Sequence, residues 1–259
     1  MKISDHQRIQ FAIVTKKYRE AIDSIQANEE TEIRDLSADP SSHNTRFDLA
    51  EDCLKTVSYY IAMYSLSVAE LGLNNENYLN EGRKRIYKAI IYIEQVVSSR
   101  IDVPFSDYEG GVIAIGKVTE SRRYEFIRML GFYLDFLKSL FGVESKWKWS
   151  FVELEGRFAT ISKNLLNLKT LVANLQPGKT NYRILFNHLQ LCRNLLQNAA
   201  NRYREKYELA TYNIDDMKQA INFLAALKRI DLLVGEEDVR LVEKKIGSWK
   251  SKLESDQKK

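Results

Sequence analysis

Apolar residues recur at alternating steps of three and four along most of the chain, the spacing of one face of an α-helix. Phe11, Val14, Tyr18, Ile22 and Ile25 make one stripe, and Phe47, Ala50, Leu54, Val57, Ile61, Tyr64, Val68 and Leu71 make a longer one. From Phe151 through Leu154, Phe158, Ile161, Leu165, Leu168 and Val172 to Leu175 the cadence runs unbroken, and it returns at Val239, Val242, Ile246, Trp249 and Leu253. Such a seam suits helices packed nearly antiparallel. It predicts an all-α, multi-helix antiparallel bundle of about eight helices, near 5–30, 46–72, 76–100, 119–142, 146–175, 180–211, 214–233 and 236–255.

Start signals agree with these segments. Ser4 with Gln7 and Thr45 with Asp48 have capping-box spacing, and Asn213 precedes Asp215 and Asp216 at another helix start. The segment 119–142 carries two apolar stripes: Ile127, Leu130, Leu134, Leu137 and Phe141, and Phe126, Met129, Tyr133, Phe136 and Leu140. A helix apolar on two faces is expected to be buried on both, which makes it the centre of the bundle. Pro40, Pro104 and Pro177 fall among turn residues between segments. Residues 101–118, IDVPFSDYEGGVIAIGKV, form the longest non-helical stretch, with a strand-like run from Val112 to Ile115. A structured loop held by helices is either a binding element or a plug that packs Val112, Ile113 and Ile115 on the bundle. The chain reads as one domain over 1–259, with a soft boundary near 101–118.

Composition strengthens the helical reading. With 11 glycines and 3 prolines among 259 residues, the chain lacks the turn residues that sandwiches, barrels and Rossmann sheets need. The N-terminal MKISDHQRIQFAIVTKKYRE has no apolar core of signal-peptide length, and the most apolar run, Met129 to Gly142, is short and carries Asp135 and Lys138. The expectation is a cytoplasmic protein without a membrane span. Cys53 and Cys192 are too few and too far apart for a disulfide framework or a zinc knuckle.

Candidate chemistry is sparse. Ala173 to Thr180 fits a loose phosphate-loop spacing, but a helix rather than a strand delivers it and Ala stands where the first Gly is needed, so an interhelix turn is expected. No HExxH, CxxC or GxSxG string occurs, and neither a metal nor a cofactor is expected. Arg183-Ile-Leu-Phe-Asn-His188 resembles the Arg-x-x-x-x-His element of metal-independent ribonucleases of the HEPN helical-bundle group. That resemblance implies a His188 general acid or base and an Arg183 that holds phosphate. The competing reading is a core histidine, because His188 lies in a row with Leu185, Cys192, Leu195 and Ala199.

Charge is distributed unevenly. The formal net charge is +4, but residues 119–212 carry 15 basic and 8 acidic side chains, and Gly156 to Arg204 contains no Asp or Glu. That acid-free hairpin holds Arg157, Lys163, Lys169, Lys179, Arg183, Arg193, Arg202 and Arg204 among many Asn and Gln residues. Lys163, Lys169, Arg193 and Arg202 read as polar-face positions. A positive surface of this kind takes an acidic protein partner, an RNA backbone, or carboxylates from the same chain. Without a catalytic constellation, the expected function is a non-enzymatic helical interaction or scaffold protein that binds a protein partner through the hairpin. The alternative is an RNA-binding bundle, with Arg183 and His188 as its nuclease pair.

Overall fold

The computed structural model describes residues 3–38, 42–142, 144–236 and 239–258; Pro40 and residues 237–238 of the last expected helix lie outside them. Helices form throughout: α1 Asp5–Ala38, α2 His43–Leu71, α3 Glu76–Val96, α4 Glu109–Ala114, α5 Glu120–Phe141, α6 Lys148–Asn164, α7 Leu168–Asn174, α8 Tyr182–Lys206, α9 Ile214–Val234 and α10 Val239–Gln257. No strand occurs among the described residues. The expected all-α class is therefore observed. Ser4 and Gln7 form the reciprocal cap, Gln7 N–H to Ser4 Oγ at 3.2 Å and Ser4 N–H to Gln7 Oε1 at 3.0 Å. Asn213 Oδ1 accepts from the Asp215 N–H and starts α9. At the second expected cap, α2 begins earlier, at His43, with Ser42 as its N-cap and no side-chain bond to the freed N–H groups.

The chain divides into two compact units, residues 1–96 with 126–145 and residues 97–125 with 146–259. In the first, α2 packs between α1 and α3 and the later turns of α5 add the fourth element. Phe47, Leu54, Val57, Ile86, Ile90 and Leu130 are fully buried there, and the Phe47 and Phe126 rings meet at 5.1 Å. One α5 stripe behaves as expected, with Ile127, Leu130, Leu134 and Leu137 buried. The other does not. Phe126 is buried, but Met129 and Phe136 are exposed, and Phe132 beside them is 61% exposed. The second face was expected to be covered, and it is only partly so, with Tyr133 and Leu140 half-buried.

The second unit is built from α6, α8, α9 and α10 around Ala159, Leu185, Leu189, Leu196, Leu224 and Trp249. Gly156 permits the close approach of α6 and α8, since a Cβ there would lie 2.6 Å from Tyr203 Cε2. The expected helix 146–175 is broken. Asn167 turns the chain and caps α7, its Oδ1 accepting from the Lys169 and Thr170 N–H groups. Leu165 and Leu166 are both buried at this corner, so the apolar cadence runs through it and hides the break.

The strand-like run is also corrected: Val112–Ala114 lies in α4, and Ile115 follows it in a turn. Arg123 fixes this short helix. Buried to 5% exposure, it donates from Nη2 to the carbonyls of Val112 (3.1 Å) and Ile115 (3.4 Å) and from Nε to that of Val118 (3.1 Å). An arginine thus satisfies the carbonyls that a helix end leaves orphaned. Val112 and Ile115 plug the core as expected, but Ile113 is 60% exposed.

Candidate functional site

The acid-free segment becomes the second half of α6, α7 and most of α8, and carboxylates from outside it pair with four of its eight cations. Arg193 Nε donates to Asp231 Oδ1 at 2.7 Å and its Nη1 to Glu236 Oε1 at 2.8 Å. Arg202 pairs with Glu155 and Glu205, Arg204 with Glu208, and Lys169 with Glu109. Arg204 also lies over the Trp249 ring, 5.1 Å from its centroid. Arg157 is half-buried. Arg193 and Arg202, read from sequence as polar-face positions, are three-quarters or more buried at their side chains because these ion pairs draw them against α9 and α6. Carboxylates of the same unit are the observed counter-ions along the shaft of the hairpin.

Lys163 departs furthest from expectation. Its position off the Phe158–Ile161–Leu165 seam predicts exposure, yet it is only 5% exposed. The reason is the segment just before the 3₁₀ turn Phe105–Asp107, which lies over this side of α6. An irregular backbone needs donors for its carbonyls, and α6 and α9 supply them. Asn164 Nδ2 donates to the Ser98 (2.9 Å) and Arg100 (3.2 Å) carbonyls. Lys163 Nζ (3.4 Å) and Arg229 Nη2 (3.2 Å) both donate to the Ile101 carbonyl.

Two cations therefore converge on one neutral oxygen, and among the described residues neither has a carboxylate within ion-pair distance. The Lys163 ammonium also stands 5.0 Å from the Tyr108 ring centroid. Burial drives the Lys163 amine down to about 8, and the neighbouring Arg229 charge pushes it the same way. Tyr108 is 3% exposed with no hydrogen-bond partner for its hydroxyl, which burial holds well above the ordinary phenol range. Beside them opens a cleft of about 80 Å³, lined by Val103, Phe105, Tyr108, Lys163, Arg229 and Leu233 among others.

At its tip the hairpin is different again. The turn after α7 carries Gly178 at φ +91° and Asn181 at φ +65° and presents an exposed Lys179. One turn on, exposed Arg183 sits between Tyr182 and Phe186, whose rings stack at 5.8 Å and 29°. Val172 and Phe186 are both exposed on the same stretch. Among the described residues neither Lys179 nor Arg183 has an ionic partner. The backbone around Lys179 leaves a helix and enters a helix, the arrangement of an interhelix turn.

The structure does not bring Arg183 and His188 together at a surface. Arg183 is exposed, whereas His188 is 1% exposed, donates from Nε2 to the Ser162 carbonyl at 3.0 Å and lies 5.8 Å from the Tyr124 ring. Burial, with a lesser push from Arg123, holds its imidazole down at about 4, so it is neutral at pH 7. Cys192 is fully buried and its thiol is pushed up to about 12 by burial. Sequence reasoning missed Tyr108 and Arg229 because the cleft is made by a loop and a helix more than a hundred residues apart, and no local spacing records that meeting. One signal was available: Lys163 sits in the run ATISKNLL, whose only charge it is.

Among the described residues no helix is long and apolar enough to cross a membrane, and no group of three His, Cys, Asp or Glu side chains is arranged around a common point. A solved structure titled "DHF58 filament" is similar over 98% of this chain and 99% of that one, at 12% identity and a TM-score of 0.39. No curated protein matches the sequence. The model of the TP0443 family matches residues 7–257, essentially the whole chain, and the protein belongs to that family.

Proposed function

We propose that this chain is a non-enzymatic helical interaction protein that holds an acidic protein partner at the tip of the α6–α8 hairpin. The observation that carries this reading is the contrast along the hairpin: Lys169, Arg193, Arg202 and Arg204 are paired with carboxylates of the unit, while exposed Lys179 and Arg183 lie beside the Tyr182–Phe186 stack without a counter-ion among the described residues. Stacked aromatics beside unpaired cations make a small amphipathic patch, with the rigid rings that serve as anchors in protein interfaces. An acidic helix with one or two apolar residues complements it in charge and in shape.

RNA is the weaker reading. Strong phosphate binding neutralises roughly 6–10 phosphates, whereas the tip offers two unpaired cations. The nuclease pair is weaker still, since a buried neutral imidazole reaches no substrate held at an exposed Arg183. The test is affinity capture from the native cell extract, with and without nuclease, comparing the native chain with Lys179→Glu/Arg183→Glu. A nuclease-resistant protein partner lost in the variant supports the proposal. Capture that nuclease abolishes, or RNA affinity that falls steeply with salt, overturns it.

A further inference from the structure

The cleft beside Lys163 lies within the second unit but away from the hairpin tip, and the partner reading makes no use of it. Three observations point to a ligand. Lys163 and Arg229 share the Ile101 carbonyl, the one hydrogen bond of the buried Lys163 ammonium, while the exposed Arg229 guanidinium keeps further donors free at the mouth of the cleft. Like charges converging on one atom repel, and a shared anion removes that repulsion. The walls are mostly apolar, with Val103, Phe105 and Leu233 facing a cavity of about 80 Å³. A cleft of that size suits a ligand with a few heavy atoms, such as a short-chain acid.

We propose that this cleft binds a small aliphatic monocarboxylate. Its carboxylate sits between the Lys163 ammonium and the Arg229 guanidinium, and its short alkyl tail lies against Val103, Phe105 and Leu233. The guanidinium offers the planar donor pair that a carboxylate accepts, and the ammonium supplies the second charge. Inorganic phosphate suits the cleft less well, because a tetrahedral dianion wants donors on all sides and the tail-facing wall has none. Asp102 pairs with Arg100 at 3.8 Å and acts on Lys163 from beyond ion-pair distance, where its charge favours the ammonium form.

The experiment is calorimetric and NMR titration of the full chain with propionate, and with inorganic phosphate as the comparison. Saturable 1:1 propionate binding is expected, tighter than phosphate, with shifts confined to residues around 101–108 and 226–233. Lys163→Met should weaken it at least tenfold. Arg229→Gln, at an exposed position that leaves folding intact, should weaken it about tenfold, the loss expected for one charge-assisted contact. Lys179→Glu/Arg183→Glu should leave it unchanged, which separates this site from the hairpin tip. Absence of propionate binding, tighter binding of phosphate, or full affinity in Arg229→Gln would each overturn the proposal.

Discussion

Glu29 in the first unit and Lys163 in the second are both buried charges, and they live in opposite circumstances. The Glu29 carboxylate accepts from Arg85 Nη1, Lys88 Nζ and Tyr92 Oη, each at 2.8 Å, with Cys53 Sγ at 3.7 Å. Burial alone would raise its pKa, but the hydrogen bonds from Lys88, Tyr92 and Arg85 overcome that and hold the carboxyl below its usual range. Lys163 has one long hydrogen bond to a carbonyl, the face of a ring, and a like charge nearby. The first charge is satisfied by the elements it joins and ties α1 to α3. The second is left short of acceptors at the edge of a cleft. Charges compensated inside the fold hold it together, and a buried charge with few partners costs stability.

That contrast breaks most visibly at Glu29. Glu29→Gln leaves two cations gathered around a neutral amide, and removal of one member of a buried pair costs about 3–5 kcal/mol. Chemical denaturation at pH 7 should record that loss. Because the folded-state pKa is lowered, the native chain holds this stability above the ordinary carboxylate range. It loses the stability as pH falls through the folded value, so native and variant curves should converge in acid.

Lys163 should respond with the opposite sign. Its amine titrates near 8 when folded and near the ordinary lysine value of about 10.4 when unfolded. Between those values the unfolded chain binds the extra proton, so stability rises with pH; below 8 the full penalty of about 3 kcal/mol applies. Lys163→Met removes that penalty and also the Ile101 hydrogen bond. A net gain of about 1–2 kcal/mol at pH 7 is expected, shrinking to nothing or reversing above pH 10. Urea midpoints across pH 6–10 measure it.

His188 gives a similar slope at lower pH. Its folded value near 4 lies below an unfolded value of about 6.5, so the unfolded chain binds the proton first and stability falls as pH drops from 6.5 toward 4. His188→Asn should flatten that part of the profile. At the hairpin tip the effect should be the smallest. Lys179→Glu/Arg183→Glu alters two exposed cations with no ionic partner among the described residues, and the melting curve should move by no more than about 0.5 kcal/mol.

The apolar cadence made the helices legible, since an i, i+3, i+4 stripe survives in any tertiary setting. It failed where tertiary contacts replaced local ones. The Leu165–Leu166 corner stays apolar across a break, so the split between α6 and α7 left no mark in the pattern. The α5 face carrying Phe132 and Phe136 looks like core and is solvent-exposed. The acid-free hairpin was visible as a composition bias, but the carboxylates that neutralise it come from Glu109, Glu155, Asp231 and Glu236, whose proximity no window of sequence encodes. Lys163 was visible as a residue and its burial was not, because burial there depends on a loop arriving from sixty residues upstream.

One measurement bears most directly on the central contrast: a site-resolved NMR titration of the lysine ε-groups, with Lys163 assigned by comparison with Lys163→Met. A buried ammonium with few partners releases its proton near pH 8, well below the ordinary lysine value of about 10.4. A Lys163 that titrates at the ordinary lysine value of about 10.4 would mean that it is solvated or paired, and the distinction drawn between it and Glu29 would be wrong.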